Sequence, residues 1–248
     1  MSATRDNLLQ TLDALLTPHL FEDYCPNGLQ VEGKAHIRTL VSGVTASQAL
    51  IEAAIKHKAD AILVHHGYFW KNENPVIVGM KQRRLKRLLE NDINLFAYHL
   101  PLDAHPELGN NVQLAKKLNI TVTGGFGGLG LIGKLSSPMS INDVANNIAM
   151  QLHRQPICVA AGEHTIETIA WCTGAAQSFI EKVIPFKVDA FLSGEISEPT
   201  VHIARENNIH FFSAGHHATE RYGVQAVGEY VAKQLDIQHF FIDIDNPA

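Results

Sequence analysis

Histidine and carboxylate side chains follow three short apolar runs of the chain, and their types and spacing are those of metal ligands. Imidazole and carboxylate ligands together suit zinc, iron or manganese better than calcium, which prefers oxygen alone. Three imidazoles and two carboxylates are enough to hold two divalent ions with positions open for water. The predicted ligands of two such ions per chain are His65, His66, Asp103, His216 and Glu220.

The spacing within this set supports shared coordination. His216 and Glu220 are four positions apart, so they would share one face of a helix that begins after the preceding strand. Asp103 and Glu220 each offer two oxygens, and either could bridge two ions. A lone histidine at a strand end is more often structural than a ligand, but three such clusters at three strand ends favour a metal site.

Three further histidines lie beside the predicted ligands. His99 and His105 flank Asp103, and His217 follows His216. They are weaker ligand candidates, and three roles stay open for them: orienting ligands, acid–base chemistry, or a plain surface position. His99 and His217 are the candidate proton shuttles.

The elements that must position these side chains are visible as apolar runs. The pattern predicts strands over 39–44, 61–64 and 94–98, a helix over 47–58 and a mostly helical segment over 76–90. Strands that alternate with helices of this length imply parallel pairing and an α/β architecture. In open α/β sheets, ligands bind at the loops beyond the carboxyl ends of the strands, which is where the candidate ligands fall.

The same pattern returns later in the chain. Shifted by 129 positions, residues 39–63 and 168–192 are identical at ten of 25 positions, including the polar pair Asp60 and Asp189. A shared hydrophobic period alone would not require matched polar residues. We therefore expect two similar α/β lobes from an internal repeat, 1–124 and 125–248, with parallel or mixed sheets flanked by helices. Whether the lobes exchange elements is a point that the pattern leaves open.

The two copies differ where the candidate ligands lie. His65 and His66 occupy the places of Gly194 and Glu195 in the second copy. The frame repeats while the ligand-type residues do not, which indicates a site added to a duplicated scaffold.

The glycine-rich stretch 124–128 is expected to join the lobes as a turn or linker with little regular structure. A phosphate-binding loop is the weaker interpretation, because the stretch lacks the lysine and serine of a Walker motif.

Two other segments stand out. The run 80–89 is the most basic in the chain, with Lys81, Arg83, Arg84 and Arg87. It is either a solvated helix face or a surface that recruits an anionic substrate such as a nucleotide. The turn 24–30 carries Asn27 and Gln30, to which the sequence assigns no chemistry.

Composition excludes the disordered, collagenous and coiled-coil classes of protein. The chain has 248 residues, is 46% hydrophobic and carries a formal charge of -5. This is ordinary for a globular protein, and the mild acidity argues against general nucleic-acid binding. No apolar run approaches the roughly 18 residues of a membrane span. Three scattered cysteines predict a reducing compartment, so the expected location is the cytoplasm.

Six motifs in order along the chain resemble those of the Nif-three-like family, whose members are often labelled type 2 GTP cyclohydrolase I. They are PNGLQVEG (26–33), GVTAS (43–47), ADAILVHHG (59–67), HLPLDAHPELGNN (99–111), SGEIS (193–197) and AGHHATER (214–221). The resemblance implies two similar α/β lobes, a toroidal homohexamer, and a dinuclear metal motif on His65, His66, Asp103, His216 and Glu220. The family label implies hydrolytic opening of the GTP imidazole ring at C8, with release of formate.

The sequence therefore predicts a dinuclear metal hydrolase acting on a small anionic substrate, a nucleotide or related purine compound. Two alternatives stay open. One is a metal-binding regulatory or scaffold protein without turnover, and the other is a metal-dependent phosphatase or phosphodiesterase that shares the site.

Overall fold

The computed structural model describes residues 3–248, which form a mixed α/β fold. The strands are β1 (Ala3–Thr4), β2 (Gly28–Val31), β3 (His36–Ile37), β4 (Thr39–Thr45), β5 (Ala61–His66), β6 (Asn94–Ala97), β7 (Thr121–Phe126), β8 (Gly130–Met139), β9 (Ile157–Val159), β10 (Ile166–Cys172), β11 (Ala190–Ser193), β12 (His210–Ser213) and β13 (Gln238–Phe241). The α-helices are α1 (Arg5–Leu16), α2 (Gln48–Lys56), α3 (Gly79–Glu90), α4 (Leu100–Ala104), α5 (Asn110–Leu118), α6 (Ile141–Leu152), α7 (Ile180–Val183), α8 (Glu198–Glu206) and α9 (His216–Leu235). Among the helices of this described range, none combines the length and apolar character needed to cross a membrane.

The chain forms two compact units, each assembled from two segments. The first unit runs to His105 and resumes at Gly223–Asp245, and the second comprises Pro106–Tyr222 and Asn246–Ala248. The predicted lobes, 1–124 and 125–248, divide the chain only once, and that division stays a prediction.

The sheet of the first unit is built on the strands that the apolar runs predict. Its order is β13-β4-β5-β6-β2, with β2 antiparallel to β6 and the other neighbours parallel. Val41, Ile62 and Leu95 fill its core with no solvent exposure. The side chain of Ser47 accepts a hydrogen bond from the backbone N–H of Leu50 and so caps α2, which begins directly after β4. The three predicted strands are confirmed.

The prediction that 76–90 is mostly helix is confirmed, and the helix begins at Gly79. Val78 has an extended backbone, and Gly79 has a left-handed φ of +57°. A left-handed residue after a β-branched run prevents the helix from continuing toward its N-terminal side.

The second unit repeats the central frame of the first. Its sheet has the order β7-β8-β10-β11-β12-β9, in which β10, β11 and β12 are parallel neighbours. Leu40 pairs with Ala61 in the first sheet, and Ile169 pairs with Ala190 in the second. These are the same register positions of the 129-residue repeat. The α/β class with mixed sheets and two related frames is therefore confirmed.

An aspartate fixes the start of each repeated frame. Asp60 Oδ2 accepts hydrogen bonds from the backbone N–H groups of residues 38 and 39, at 2.9 and 3.2 Å. Asp189 Oδ2 accepts the equivalent bonds from residues 167 and 168, at 3.0 and 2.8 Å. The repeated aspartate thus has a structural role, because in each copy it ties the strand that it precedes to the start of the neighbouring strand.

The glycine-rich stretch is a β-hairpin inside the second unit. Gly124 and Gly125 lie in β7 and pair with β8, so the expectation of irregular structure was wrong there. Gly127 and Gly128 form the turn with φ values of +60° and +85°. Glycine is required at these two positions because other residues rarely adopt a left-handed backbone.

Candidate metal centre

The histidine pair of the first unit lies at the carboxyl end of β5. His65 is fully buried, and its Nδ1 donates a hydrogen bond of 3.1 Å to the carbonyl oxygen of Tyr98. Nδ1 of His66 lies 3.2 Å from Oγ1 of Thr45, its register partner on β4. Backbone and hydroxyl partners at Nδ1 make Nε2 the candidate ligating nitrogen of both rings.

Asp103 is placed beside this pair by the short helix α4, which follows β6. The carboxyl group is buried, and its Oδ1 lies 3.6 Å from Nε2 of His65. This separation is longer than a hydrogen bond. Two ligands on one zinc ion, each at about 2.1 Å, would lie roughly 3.0–3.6 Å apart for ligand–metal–ligand angles of about 90–120°. The His65–Asp103 geometry therefore fits two ligands of a common ion.

His99 joins the same cluster. One ring nitrogen from each of His65, His66 and His99 lies within 4.8 Å of the others. The ring centroids of His65 and His99 are 5.0 Å apart. Nδ1 of His99 lies 2.7 Å from Oδ1 of Asp23, a residue that the sequence analysis missed. His105 follows α4 as its C-cap residue, two positions after Asp103.

In the second unit, His216 lies between two carboxylates. Its Nδ1 is 2.7 Å from Oε1 of Glu195, and its Nε2 is 3.0 Å from Oε2 of Glu220. Helix α9 begins at His216, which confirms the predicted helical spacing of His216 and Glu220. Burial acts to lower the pKa of His216, but the hydrogen bonds and charges of Glu220 and Glu195 outweigh it and raise this pKa to about 9. The arrangement favours positive charge here, whether a proton or a metal ion.

Gly174 lets the carboxylate of Glu220 approach the backbone. Its φ is +66°, and a Cβ atom added there would overlap Oε1 of Glu220 and lie 3.3 Å from Nε2 of His216. Only glycine satisfies both the backbone angle and the space. The end of β10 is thus shaped around the side chains of α9.

His217 occupies a different environment from its neighbour. Its side chain is buried, and its backbone N–H donates to the carbonyl oxygen of Ala248 at 3.3 Å. Thr219 in the same helical turn accepts a hydrogen bond from the backbone N–H of Gly174.

Sequence reasoning missed Asp23 and Glu195, which hold the Nδ1 atoms of His99 and His216. Glu195 had a signal, because it takes the place of His66 in the repeat. Asp23 had none beyond its position before the unassigned turn 24–30.

The donor chemistry fits a divalent metal in both units. Imidazole and carboxylate groups cluster at His65 and Asp103 in the first unit and at His216 and Glu220 in the second. These clusters could hold a metal ion, and mixed nitrogen and oxygen donors suit zinc, iron or manganese.

Several basic side chains of helix α3 form ion pairs with neighbouring carboxylates. Arg87 makes two bonds to Glu52, at 2.8 and 2.9 Å. Lys81 lies 3.3 Å from Glu73, and Lys86 lies 3.5 Å from Glu90. These pairs favour the solvated-face interpretation over recruitment of an anionic substrate.

Comparison with known proteins places the chain among relatives that share its whole length. A Pseudomonas aeruginosa protein named GTP cyclohydrolase 1 type 2 homolog is 56% identical over 253 residues, covering 100% of each chain. The solved structure of protein ybgI, described as of unknown function, is 51% identical with a TM-score of 0.97, covering 99% of this chain and 100% of that one. A solved structure from Thermus thermophilus is 33% identical with a TM-score of 0.90 over the same shares. The Duf34/NIF3 (NGG1p interacting factor 3) family model matches residues 3–247, and the chain belongs to that family.

Proposed function

We propose that this chain is a dinuclear divalent-metal hydrolase acting on a nucleotide or a related purine compound. The single observation that carries the proposal is the buried His65–Asp103 pair, whose 3.6 Å separation suits two ligands of one ion. The proposed ligands of two zinc, iron or manganese ions are His65, His66, Asp103, His216 and Glu220. Either carboxylate is the proposed bridge. Relatives named GTP cyclohydrolase 1 type 2 homolog support imidazole ring opening of GTP as the specific reaction.

The proposed roles follow from the chemistry of each group. Divalent ions, when bound, supply Lewis-acid chemistry and lower the pKa of water toward neutrality. The buried imidazoles and carboxylates hold the site rigid and limit bulk water around it. His99 or His217 accepts the proton that water loses on attacking an electrophilic carbon or phosphorus, and returns it to the leaving group.

The test is metal content and turnover measured on the same samples. Protein purified without chelators should contain close to two ions per chain by mass spectrometry. Asp103→Ala and Glu220→Ala should lower that content and abolish formate release from GTP. Glu229→Ala is the matched control for Glu220, because Glu229 is an exposed residue on the same helix whose carboxylate bonds Gln225. Full turnover by a metal-free variant would overturn the proposal.

A substrate screen separates ring opening from phosphoryl chemistry. Formate and inorganic phosphate are assayed independently over a panel of nucleotides. Formate without phosphate supports ring opening. Phosphate without formate identifies a phosphatase or phosphodiesterase that uses the same ligands.

Self-assembly is part of the proposal. The resemblance to the Nif-three-like family implies a toroidal homohexamer, in which several sites would surround one cavity. Light scattering of the eluted protein measures the mass directly, and a monomeric mass would contradict this part while leaving the metal chemistry in place.

A metal-binding scaffold is the second candidate, and one surface feature favours it. Val76, Ile77, Val78 and Met80 are each more than half exposed, in a short segment at the start of α3. Contiguous exposed apolar side chains are typical of interaction surfaces. This candidate predicts two ions per chain without release of formate or phosphate, and a saturable protein partner that Ile77→Asp fails to bind.

A further inference from the structure

Asp23 is held by a dense set of hydrogen bonds in the first unit. Its side chain is 3% exposed, although it lies in an irregular segment between α1 and β2. Oδ1 accepts from Nδ1 of His99 at 2.7 Å and from the backbone N–H of Tyr24 at 2.6 Å. Oδ2 accepts from Nδ2 of Asn27 and the backbone N–H of Leu100, each at 2.9 Å. In all four bonds Asp23 is the acceptor.

Asn27 closes the network from the other side. Its Oδ1 accepts a hydrogen bond of 2.7 Å from the backbone N–H of His99. The same amide thus bonds both the carboxylate and the residue that the carboxylate holds. The turn 24–30, which carries no chemistry that the sequence reveals, supplies this brace. The indole ring of Trp70 adds an edge-on contact to the His99 ring, with centroids 5.0 Å apart.

An ionised aspartate can only accept hydrogen bonds, so Nδ1 of His99 must carry the proton. Burial acts to raise the pKa of Asp23, but its bonds to His99 and Asn27 outweigh that effect and lower this pKa to about 2. The carboxylate is consequently ionised throughout the neutral range. The Nδ1–H tautomer leaves the lone pair of His99 on Nε2, in the cluster that also contains the ring nitrogens of His65 and His66.

We propose that Asp23, braced by Asn27, is a positioning residue that holds His99 in the Nδ1–H tautomer with Nε2 as its proton acceptor. The role of Nε2 as a proton acceptor rests on the proposed hydrolase function. The tautomer of His99 does not depend on that function and can be tested separately. Asp23 contacts no reacting atom in this scheme and acts only through His99.

Replacing Asp23 with asparagine has a specific structural consequence. The amide offers one acceptor oxygen where four donors converge, with one fixed backbone N–H on each side: Tyr24 at Oδ1 and Leu100 at Oδ2. With the amide oxygen on the Leu100 side, Leu100 and Asn27 keep their acceptor, and only the Tyr24 N–H loses its own because His99 can exchange its proton. The opposite orientation would leave both Leu100 and Asn27 without an acceptor, so the NH₂ group should face His99. Nδ1 of His99 must then become an acceptor, which forces the proton to Nε2. Asp23→Asn should therefore switch the tautomer while changing almost no volume.

The experiment is solid-state ¹⁵N NMR of histidine-labelled full-length protein, with the His99 signals identified by their loss in His99→Gln. Wild-type His99 should show the Nδ1–H tautomer, and Asp23→Asn should show mainly Nε2–H. Asp23→Glu, which keeps the acceptors, should restore part of the wild-type signal. Asp6→Asn is the control, since the side chain of Asp6 is 73% exposed on α1 and pairs with Arg5.

Zinc content and formate release from GTP are measured on the same variants. Asp23→Asn should bind as much zinc as the wild type, and its kcat should fall about 10- to 100-fold, as is typical when a group that orients a functional histidine is lost. KM should stay constant.

An Nε2–H tautomer in the wild type, an unchanged tautomer in Asp23→Asn, or loss of zinc from that variant would overturn the inference. The wild-type spectrum alone decides the point if Asp23→Asn does not fold. A tautomer switch in a protein that releases neither formate nor phosphate would support the positioning role and overturn the hydrolase proposal instead.

Discussion

Nδ1 of His216 lies 2.7 Å from Oε1 of Glu195, so the first residue of α9 is held by a carboxylate from the loop that follows β11. The contact turns Nε2 of the same ring toward Glu220. Residues that hold the second nitrogen of a ligating histidine fix its ring orientation and raise its basicity. Glu195 is therefore as much a part of the candidate centre as the predicted ligands.

Glu195→Ala should weaken zinc binding about 10- to 100-fold, because the His216 ring loses the partner that orients it. Competition with a chromophoric chelator measures the affinity. Glu198→Ala is the matched control: Glu198 also pairs with a histidine at 2.9 Å, but its side chain is 80% exposed on α8. Equal zinc affinity in the two variants would show that the Glu195 contact has no part in metal binding.

Gly174→Ala should lower zinc content without removing any ligand. The new methyl group would displace the Glu220 carboxylate and crowd His216. Gly128→Ala provides the control, because Gly128 has a comparable φ of +85° but open space around an added Cβ. Both variants carry similar backbone strain, so a difference in zinc per chain isolates the steric effect. Zinc content near the wild-type value in Gly174→Ala would contradict the proposed position of Glu220.

Asp189→Ala should destabilise the protein by about 1–3 kcal/mol at neutral pH, because two backbone N–H groups and the Thr168 hydroxyl lose their acceptor. Urea unfolding midpoints measure the change. Asp60→Ala, the equivalent variant in the first unit, should also shift the midpoint. An unchanged midpoint in both would mean that the repeated aspartates do not hold the frames.

The Asp189 effect should depend on pH in a defined direction. Burial acts to raise the pKa of Asp189, but hydrogen bonds from Thr168 and Glu167 outweigh it and lower this pKa below its usual value of 3.8. The stabilisation is therefore fully present above the unfolded pKa and is lost as the pH falls through the lower, folded value. The difference between wild type and Asp189→Ala should be constant above about pH 5 and shrink in more acidic buffer. A difference that grows with acidity would contradict this assignment.

Arg87→Gln should leave the KM for any hydrolysed nucleotide unchanged. The Arg87 guanidinium bonds Glu52, and the hydrogen bonds and charge of Glu52 raise the pKa of Arg87. The guanidinium therefore has little remaining capacity to bind a second anion. Steady-state kinetics at low salt give the most sensitive comparison, since attraction between exposed charges is least screened there. A marked rise in KM would restore the substrate-recruiting interpretation of α3.

Much of the frame could be predicted from the sequence because its signals are local. The buried strands β4, β5 and β6 are short apolar runs, and each ends next to polar side chains. The repeat was visible because the second copy retains polar identities such as Asp189. The start of α9 could be predicted from the four-residue spacing of His216 and Glu220.

The missed features depend on contacts between distant residues. Asp23 and His99 are 76 positions apart, and nothing near Asp23 indicates its partner. Gly124 and Gly125 lie in a strand because β8 supplies their hydrogen-bond partners, although glycine has little intrinsic preference for strands. Tertiary pairing outweighed local propensity at these positions.

The two sheets keep the same register although different side chains lie at their strand ends. Each copy ties its own strands together through its own aspartate, so neither frame depends on which side chains lie at the end of β5 or β11. One copy could therefore carry two imidazoles at this place while the other carries a glycine and a carboxylate. A duplicated scaffold of this kind lets binding chemistry diverge in one copy while the other keeps a different set of side chains on the same backbone plan.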